Sequence, residues 1–161
     1  MAAVDYFLKI DEVPGESKDA KHPNELQLES WSFGETNIGT HSAGGGGGAG
    51  KVQMQDFHFV MNTNKASAKL FVKCANGEHI KQAILTCRKA GKDQQEYLKW
   101  TFSDLLISSF TTSGSGSSGL PVDQCSFNFT KLECEYKEQK PDGTLEGPIK
   151  SWYDLKKQQH G

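Results

Sequence analysis

The sequence has no long apolar segment and no excess of charge of either sign. Of its 161 residues, 35% are hydrophobic, and 18 lysines and arginines nearly balance 20 aspartates and glutamates. No stretch approaches the roughly 20 apolar residues of a membrane span, so we expect no membrane insertion. Without a basic excess or stripe, we expect no nucleic-acid partner either. The length is that of one domain, which we take as residues 1–161.

The chain also lacks the usual cysteine motifs and a secretory signal. Cys74, Cys87, Cys125 and Cys134 form no CxxC pair, which argues against a zinc site and a dithiol redox site. Their apolar surroundings predict small buried side chains in a reducing compartment. The first residues have neither a basic region nor an apolar run, so we expect no signal peptide.

Catalytic motifs are equally scarce. The five histidines show no metal-ligand spacing, and no GxSxG segment is present. Residues 45–51 read GGGGAGK, but a phosphate-binding loop needs Ser or Thr next and a helix after it, whereas Val52 opens a strand pattern. We therefore expect no enzyme activity, no metal and no cofactor, and we interpret the glycines as a flexible connector.

What the chain does have is apolar residues at period two, which is typical of β-strands. This pattern predicts strands at 4–10, 26–33, 52–60, 79–88, 96–103, 105–112, 125–136 and 149–155. One segment has helical spacing, with Leu70, Phe71, Cys74 and Ala75 on one face. Ser67 is suited to cap its start, and the Asn76-Gly77 pair to end it. The predicted fold is mainly β: a small β-barrel or two packed sheets with one short α-helix.

In three of these strands the apolar face reverses partway along. Leu26 and Leu28 are in phase, but Trp31 and Phe33 have the opposite parity, and segments 52–60 and 125–136 repeat the reversal. A β-bulge where a barrel curves is one explanation. The other is that half of each strand faces the domain core and half faces a neighbouring subunit.

Several motifs that are weak alone become specific as an ordered set. The chain contains GESKD at 15–19 with His22, ESWSFG at 29–34, GGGGGAGK at 44–51, KASAKLF at 65–71, CANG at 74–77, AILTCRKAG at 83–91, LISS at 106–109, FNFTK at 127–131, QKPDG at 139–143 and WYDL at 152–155. Together they resemble the haemolysin-coregulated protein (Hcp) family of bacterial type VI secretion systems. Ala68 departs from the proline that the family often has at that position.

The resemblance implies a fold like that of phage tail-tube proteins and a structural role. Family members form homo-hexameric rings that stack into the inner tube, inside a contractile sheath on a baseplate, behind a spike protein. They also carry effector proteins in the lumen. The implied location is the bacterial cytoplasm before firing and the exterior afterwards, without a signal peptide. The alternative is a secreted ring-shaped carrier that forms no tube.

Two sets of residues are candidates for the assembly contacts. For the contact between rings, which the resemblance places in connector 34–50, we expect Gly39, Thr40, His41, Ser42, Gly44, Gly45, Gly46, Gly47 and Gly48. Glycine lets a backbone approach a neighbour closely, although an inert loop is the alternative. For the contact within a ring, the face reversals suggest Trp31, Phe33, Phe57 and Phe59.

Overall fold

The chain forms β-strands and one helix, seen in a computed structural model that describes residues 4–37, 39, 51–89, 93–117 and 119–161. The strands are β1 (Val4–Ile10), β2 (Leu26–Gln27), β3 (Ser30–Ser32), β4 (Glu35–Asn37), β5 (Val52–Met54), β6 (Phe57–Asn62), β7 (Ile80–Lys89), β8 (Glu96–Ser113), β9 (Val122–Asn128), β10 (Lys131–Tyr136), β11 (Ile149–Asp154) and β12 (Gln159–His160). The helix is α1 (Ala66–Asn76).

Two packed sheets share the long strand β8. In the first sheet the order is β12-β11-β10-β8-β7-β1-β2, and in the second β9 joins β8 and is followed by β6 and β3. The first part of β8 pairs with β7 and β10, and its second part pairs with β9. The predicted strands 96–103 and 105–112 are therefore one continuous strand. Asp104 lies where it changes sheets, with a φ of 56°.

The mainly β prediction with two packed sheets and one helix is confirmed. The described strands do not close into a regular barrel, because the edge strands β2, β3 and β12 each pair with a strand on one side only.

The face reversals mark places where the chain passes from one sheet to another. Each falls at a break between two strands with different partners: β2 and β3, β5 and β6, and β9 and β10. Such bends turn both parities toward one core. Leu26 and Leu28 are buried in the same core that Trp31 and Phe33 pack against. A bend at each sheet change therefore accounts for the reversals within the single chain, and a contact of Trp31 and Phe33 with a neighbouring subunit stays a prediction.

The core is dominated by closely packed phenylalanines. Phe57, Phe102 and Phe127 are fully buried, and Phe129 is 6% exposed. The ring centroid of Phe102 lies 5.0 Å from that of Phe57, 5.2 Å from that of Phe127 and 4.9 Å from that of Phe129. Aromatic pairs at these distances add stabilisation beyond the area they bury.

Helix α1 begins with a different cap from the one predicted. The Asn64 side chain accepts a hydrogen bond from the Ala66 N–H (2.8 Å), and Ser67 Oγ accepts one from the Asn64 N–H (3.0 Å). This exchange is a capping box with Asn64 in the leading position, so Ser67 supports the cap rather than forming it. The predicted C-terminal stop is confirmed, since Gly77 is left-handed with a φ of 67°.

The buried face of α1 is also rotated from the predicted one. Ala66, Ser67, Leu70 and Lys73 are buried, whereas Phe71 and Ala75 are exposed. Lys73 can lie on the inner face because its ammonium is 3.4 Å from Glu78 and 3.8 Å from Glu12. No helix in the part of the chain that the structure describes is long and apolar enough to cross a bilayer.

All four cysteines are free, and the predicted burial holds for two of them. Cys87 and Cys125 are buried, and Cys74 and Cys134 are half-buried. Burial raises the pKa of the Cys87 thiol to about 12, and it raises that of Cys125 to about 12 as well. The two buried cysteines therefore act as small apolar side chains.

Candidate assembly surfaces

The residues on either side of the glycine-rich segment form a two-stranded ribbon. Strands β4 and β5 pair with each other, with Glu35 opposite Met54 and Asn37 opposite Val52, and form a sheet separate from the other two. All three residues of β4 are exposed. The predicted strand 52–60 includes β5, but the sequence predicted only loop at β4 because Glu35, Thr36 and Asn37 have no apolar alternation.

The residues predicted to contact the next ring belong to the segment between β4 and β5 in the sequence. Gly39 follows β4 and is the one member of that set among the described residues. Thr40, His41, Ser42 and residues 44–48 lie outside the described residues. The pairing of Asn37 with Val52 therefore brings the chain before and after residues 38–51 close together.

A second surface feature is an aromatic depression, which we call the tryptophan hollow. It has a volume of about 480 Å³ and contains all three tryptophans of the chain. Its main lining residues are Trp31, Phe33, Glu35, Trp100, Trp152 and Tyr153. The hollow is thus an apolar depression with one carboxylate among its described lining residues.

The hollow exists because the core face of the first sheet extends beyond the second sheet. In the register of β8, β10 and β11, Trp100 lies opposite Cys134, which lies opposite Ser151. The neighbouring row contains the buried Phe102 and Leu132 and ends at the half-buried Tyr153. Each row therefore runs from the covered core to open solvent.

This uncovered face continues to the end of the sheet. Tyr136 lies between Leu98 and Ile149 in the register, and the exposed fractions of Tyr136 and Ile149 are 44% and 67%. Sequence reasoning missed both residues, although Leu132, Cys134 and Tyr136 alternate in phase. Apolar groups that stay exposed on a continuous face are typical of a protein interaction surface.

The indole nitrogen of Trp100, beneath the hollow, is an unpaired donor among the described residues. Its Nε1 atom is buried and has no hydrogen-bond partner among the described residues. A buried donor without an acceptor costs about 1–3 kcal/mol.

The four predicted ring-contact residues divide into two pairs. Trp31 and Phe33 are partly exposed and line the hollow, with the Phe33 ring 4.8 Å from that of Trp100. Phe57 and Phe59 are 0% and 1% exposed, inside the core of the single chain. Because their side chains are already buried by their own chain, we retain only Trp31 and Phe33 as contact candidates.

The GESKD segment folds into a charge cluster that holds its loop on the first sheet. Arg88 Nη1 and Nη2 donate to the two carboxylate oxygens of Asp19 at 3.0 and 2.7 Å, and Nη2 also donates to Asp5 at 3.0 Å. The hydrogen bonds from Arg88 hold the pKa of Asp19 far below its usual range. The same bonds raise the pKa of Arg88.

His22 completes this cluster. Its Nδ1 lies 2.9 Å from Glu25 Oε2 and its Nε2 lies 2.6 Å from Glu96 Oε1, while the ring stacks on Phe7. The loop therefore has a structural role: it is fastened to β1, β7 and β8.

Comparison with known proteins agrees with this architecture. The family model described as "Type VI secretion system effector, Hcp" matches residues 7–136. Protein hcp1 of Pseudomonas aeruginosa is 41% identical over 156 residues, which is 96% of each chain.

Solved structures extend the comparison to the fold. Hcp1 from Salmonella typhimurium is 36% identical, with a TM-score of 0.80 over 99% of this chain and all of that one. A structure of a type six secretion system protein is 25% identical, with a TM-score of 0.93 over the same shares. Family match, identity and fold thus coincide over nearly the whole length, and the chain belongs to the Hcp family of the type VI secretion system.

Proposed function

We propose that the chain is a structural subunit of the type VI secretion inner tube. In this proposal six copies form a ring, rings stack into a hollow conduit, and effector proteins travel in the lumen. The partners are a spike protein, a contractile sheath and a baseplate, and the chain passes from the cytoplasm to the exterior on firing.

The observation that carries the proposal is the uncovered core face at the tryptophan hollow. A single chain leaves Trp31, Phe33 and Trp100 partly exposed on a face that continues its own core. Assembly covers such a face without a change of fold, because the apolar rows already run to the solvent edge. The β4–β5 ribbon then supplies a separate contact toward the next ring.

Negative-stain imaging of the purified chain tests both levels of assembly. We expect rings with a central hole that stack at high protein concentration. Compact single particles at every concentration would contradict ring formation. Rings that never stack, in a strain whose secretion of the chain does not depend on a sheath, would favour the carrier without a tube.

A further inference from the structure

Helix α1 carries a second apolar stripe on its solvent side. We call Ala68, Phe71, Val72 and Ala75 the outer stripe; all four are exposed, with exposed fractions of 57% for Phe71 and 49% for Val72. Their spacing of i, i+3, i+4 and i+7 puts them on one face. An apolar stripe at this spacing is how a helix anchors itself in a partner's groove.

The tryptophan hollow has the properties that such a helix needs. Its volume of about 480 Å³ leaves room for large side chains of a partner. Trp31, Phe33 and Trp100 present aromatic surface there.

The charges of the two surfaces are complementary. Glu35 is the charged residue among those that line the hollow. Residues 66–76 contain Lys69 and Lys73 and no acidic residue. Lys73 is paired with two carboxylates, but Lys69 meets only the Glu12 carbonyl oxygen, at 3.3 Å, among its described polar contacts. The positive charge of Lys69 beside the stripe is therefore available to Glu35 of another copy.

We propose that α1 of one copy docks its outer stripe into the tryptophan hollow of the next copy. This inference rests on the proposed ring, whose lateral contact it identifies. The stripe and the hollow are two different surfaces, so in a closed ring each copy presents its stripe to one neighbour and its hollow to the other. Phe71 and Val72 are the anchors, and Lys69 pairs with Glu35 at the rim.

Substitutions on the stripe give the first test. Because Phe71 and Val72 are exposed, F71S and V72S should fold normally, and we expect each to raise the dissociation constant between neighbouring subunits at least about tenfold. Leu120, which is 65% exposed, provides the matched control L120S, which should assemble like the wild type. K69E and E35K should each weaken assembly, and the double variant should recover part of it.

Tryptophan emission gives a second readout, because all three tryptophans line the hollow. Emission should shift to the blue as the wild type assembles, and F71S should show no shift at the same concentration. Rings that form in F71S as readily as in the wild type would overturn the inference.

Photocrosslinking locates the contact directly. With benzoylphenylalanine in place of Phe71, we expect crosslinks to peptides containing Trp31 or Trp152 of another copy. Crosslinks to any other peptide of a second copy, or rings without such crosslinks, would overturn the inference and leave the proposed ring intact. A wild-type chain that forms no rings would overturn the proposed function and this inference together.

Discussion

Arg88 donates two parallel hydrogen bonds to Asp19, from Nη1 to Oδ1 at 3.0 Å and from Nη2 to Oδ2 at 2.7 Å. The two residues are 69 positions apart in the sequence. The arginine side chain is 3% exposed and that of the aspartate is 19% exposed. This pair ties the loop containing the GESKD segment to the middle of the first sheet. The GESKD segment therefore has a structural role, which is to hold its loop against the sheet.

Replacing Asp19 should therefore weaken the fold. D19N removes the charge that compensates a buried guanidinium, and we expect it to lower the free energy of unfolding by about 1–3 kcal/mol. Urea denaturation monitored by circular dichroism measures the change. Asp142, an exposed residue far along the chain, offers the control D142N, which should unfold close to the wild-type midpoint. Equal midpoints for D19N and D142N would contradict the fastening role.

The same pair predicts a pH dependence with a defined sign. The pKa of Asp19 is lower in the folded chain than the value of about 3.9 in an unfolded one. Its contribution is therefore complete well above pH 4 and is lost as the pH falls toward the folded-state value. The stability difference between the wild type and D19N should shrink below about pH 4. A difference that grows on acidification would contradict this account.

The start of α1 depends on a buried carboxylate. Asp123 is fully buried and accepts hydrogen bonds from Ser67 Oγ at 2.5 Å and from Thr63 Oγ1 at 2.8 Å. D123A leaves both hydroxyls without that acceptor, and we expect a loss of about 1–3 kcal/mol in the free energy of unfolding. S67A should cost less, and T112A, at the exposed end of β8, should cost little. An unchanged D123A midpoint would show that the helix is held by other contacts.

The buried Phe102 and the exposed Phe71 should respond differently to substitution by alanine. F102A opens a cavity among the core rings and should lower the free energy of unfolding by about 3–5 kcal/mol. F71A removes an exposed ring and should leave the unfolding of the single chain nearly unchanged while impairing assembly. Denaturation and sizing together separate these outcomes. If F71A still forms rings, or if both variants lose stability, then Phe71 is not the exposed assembly contact that we infer.

The buried thiols should be protected in the native chain. Because burial raises the pKa of Cys87 and of Cys125 to about 12, neither forms thiolate at pH 8. We expect iodoacetamide to leave both unmodified in the folded protein and to modify both in guanidinium chloride, as read by peptide mass spectrometry. Rapid native modification of Cys87 would contradict its burial.

The connector should control stacking without affecting single rings. Replacing residues 44–48 by a short turn should leave rings intact and reduce their stacking in electron micrographs. The serine- and glycine-rich segment 113–119 gives the matched control, since shortening it should not affect stacking. Unchanged tubes in the connector variant would assign the ribbon another role.

Much of the fold could be predicted because period-two burial sets it. β1 occupies the predicted residues 4–10, and Leu8 and Ile10, which share its predicted apolar face, are buried. Short polar strands such as β4 and β12 could not be predicted, because Glu35–Asn37 and Gln159–His160 are held by their strand partners rather than by apolar burial. The face of α1 was misplaced because a lysine, Lys73, is buried by pairing its charge.

The sequence predicted only part of the candidate assembly surface at the tryptophan hollow. Of the four predicted ring-contact residues, Trp31 and Phe33 are partly exposed and stay candidates, whereas Phe57 and Phe59 belong to the core of the single chain. Nothing local indicates that Trp31, Trp100 and Trp152 share one hollow, since the pairing of β8, β10 and β11 brings distant residues together. Register between strands far apart in sequence is set by the whole fold.

Native mass spectrometry of the purified chain tests the central claim, a ring-forming tube subunit, most directly. The account predicts a dominant species of six times the 17.7 kDa chain mass, which F71S shifts toward smaller species. A wild-type chain that stays at its single-chain mass at high concentration would contradict the account.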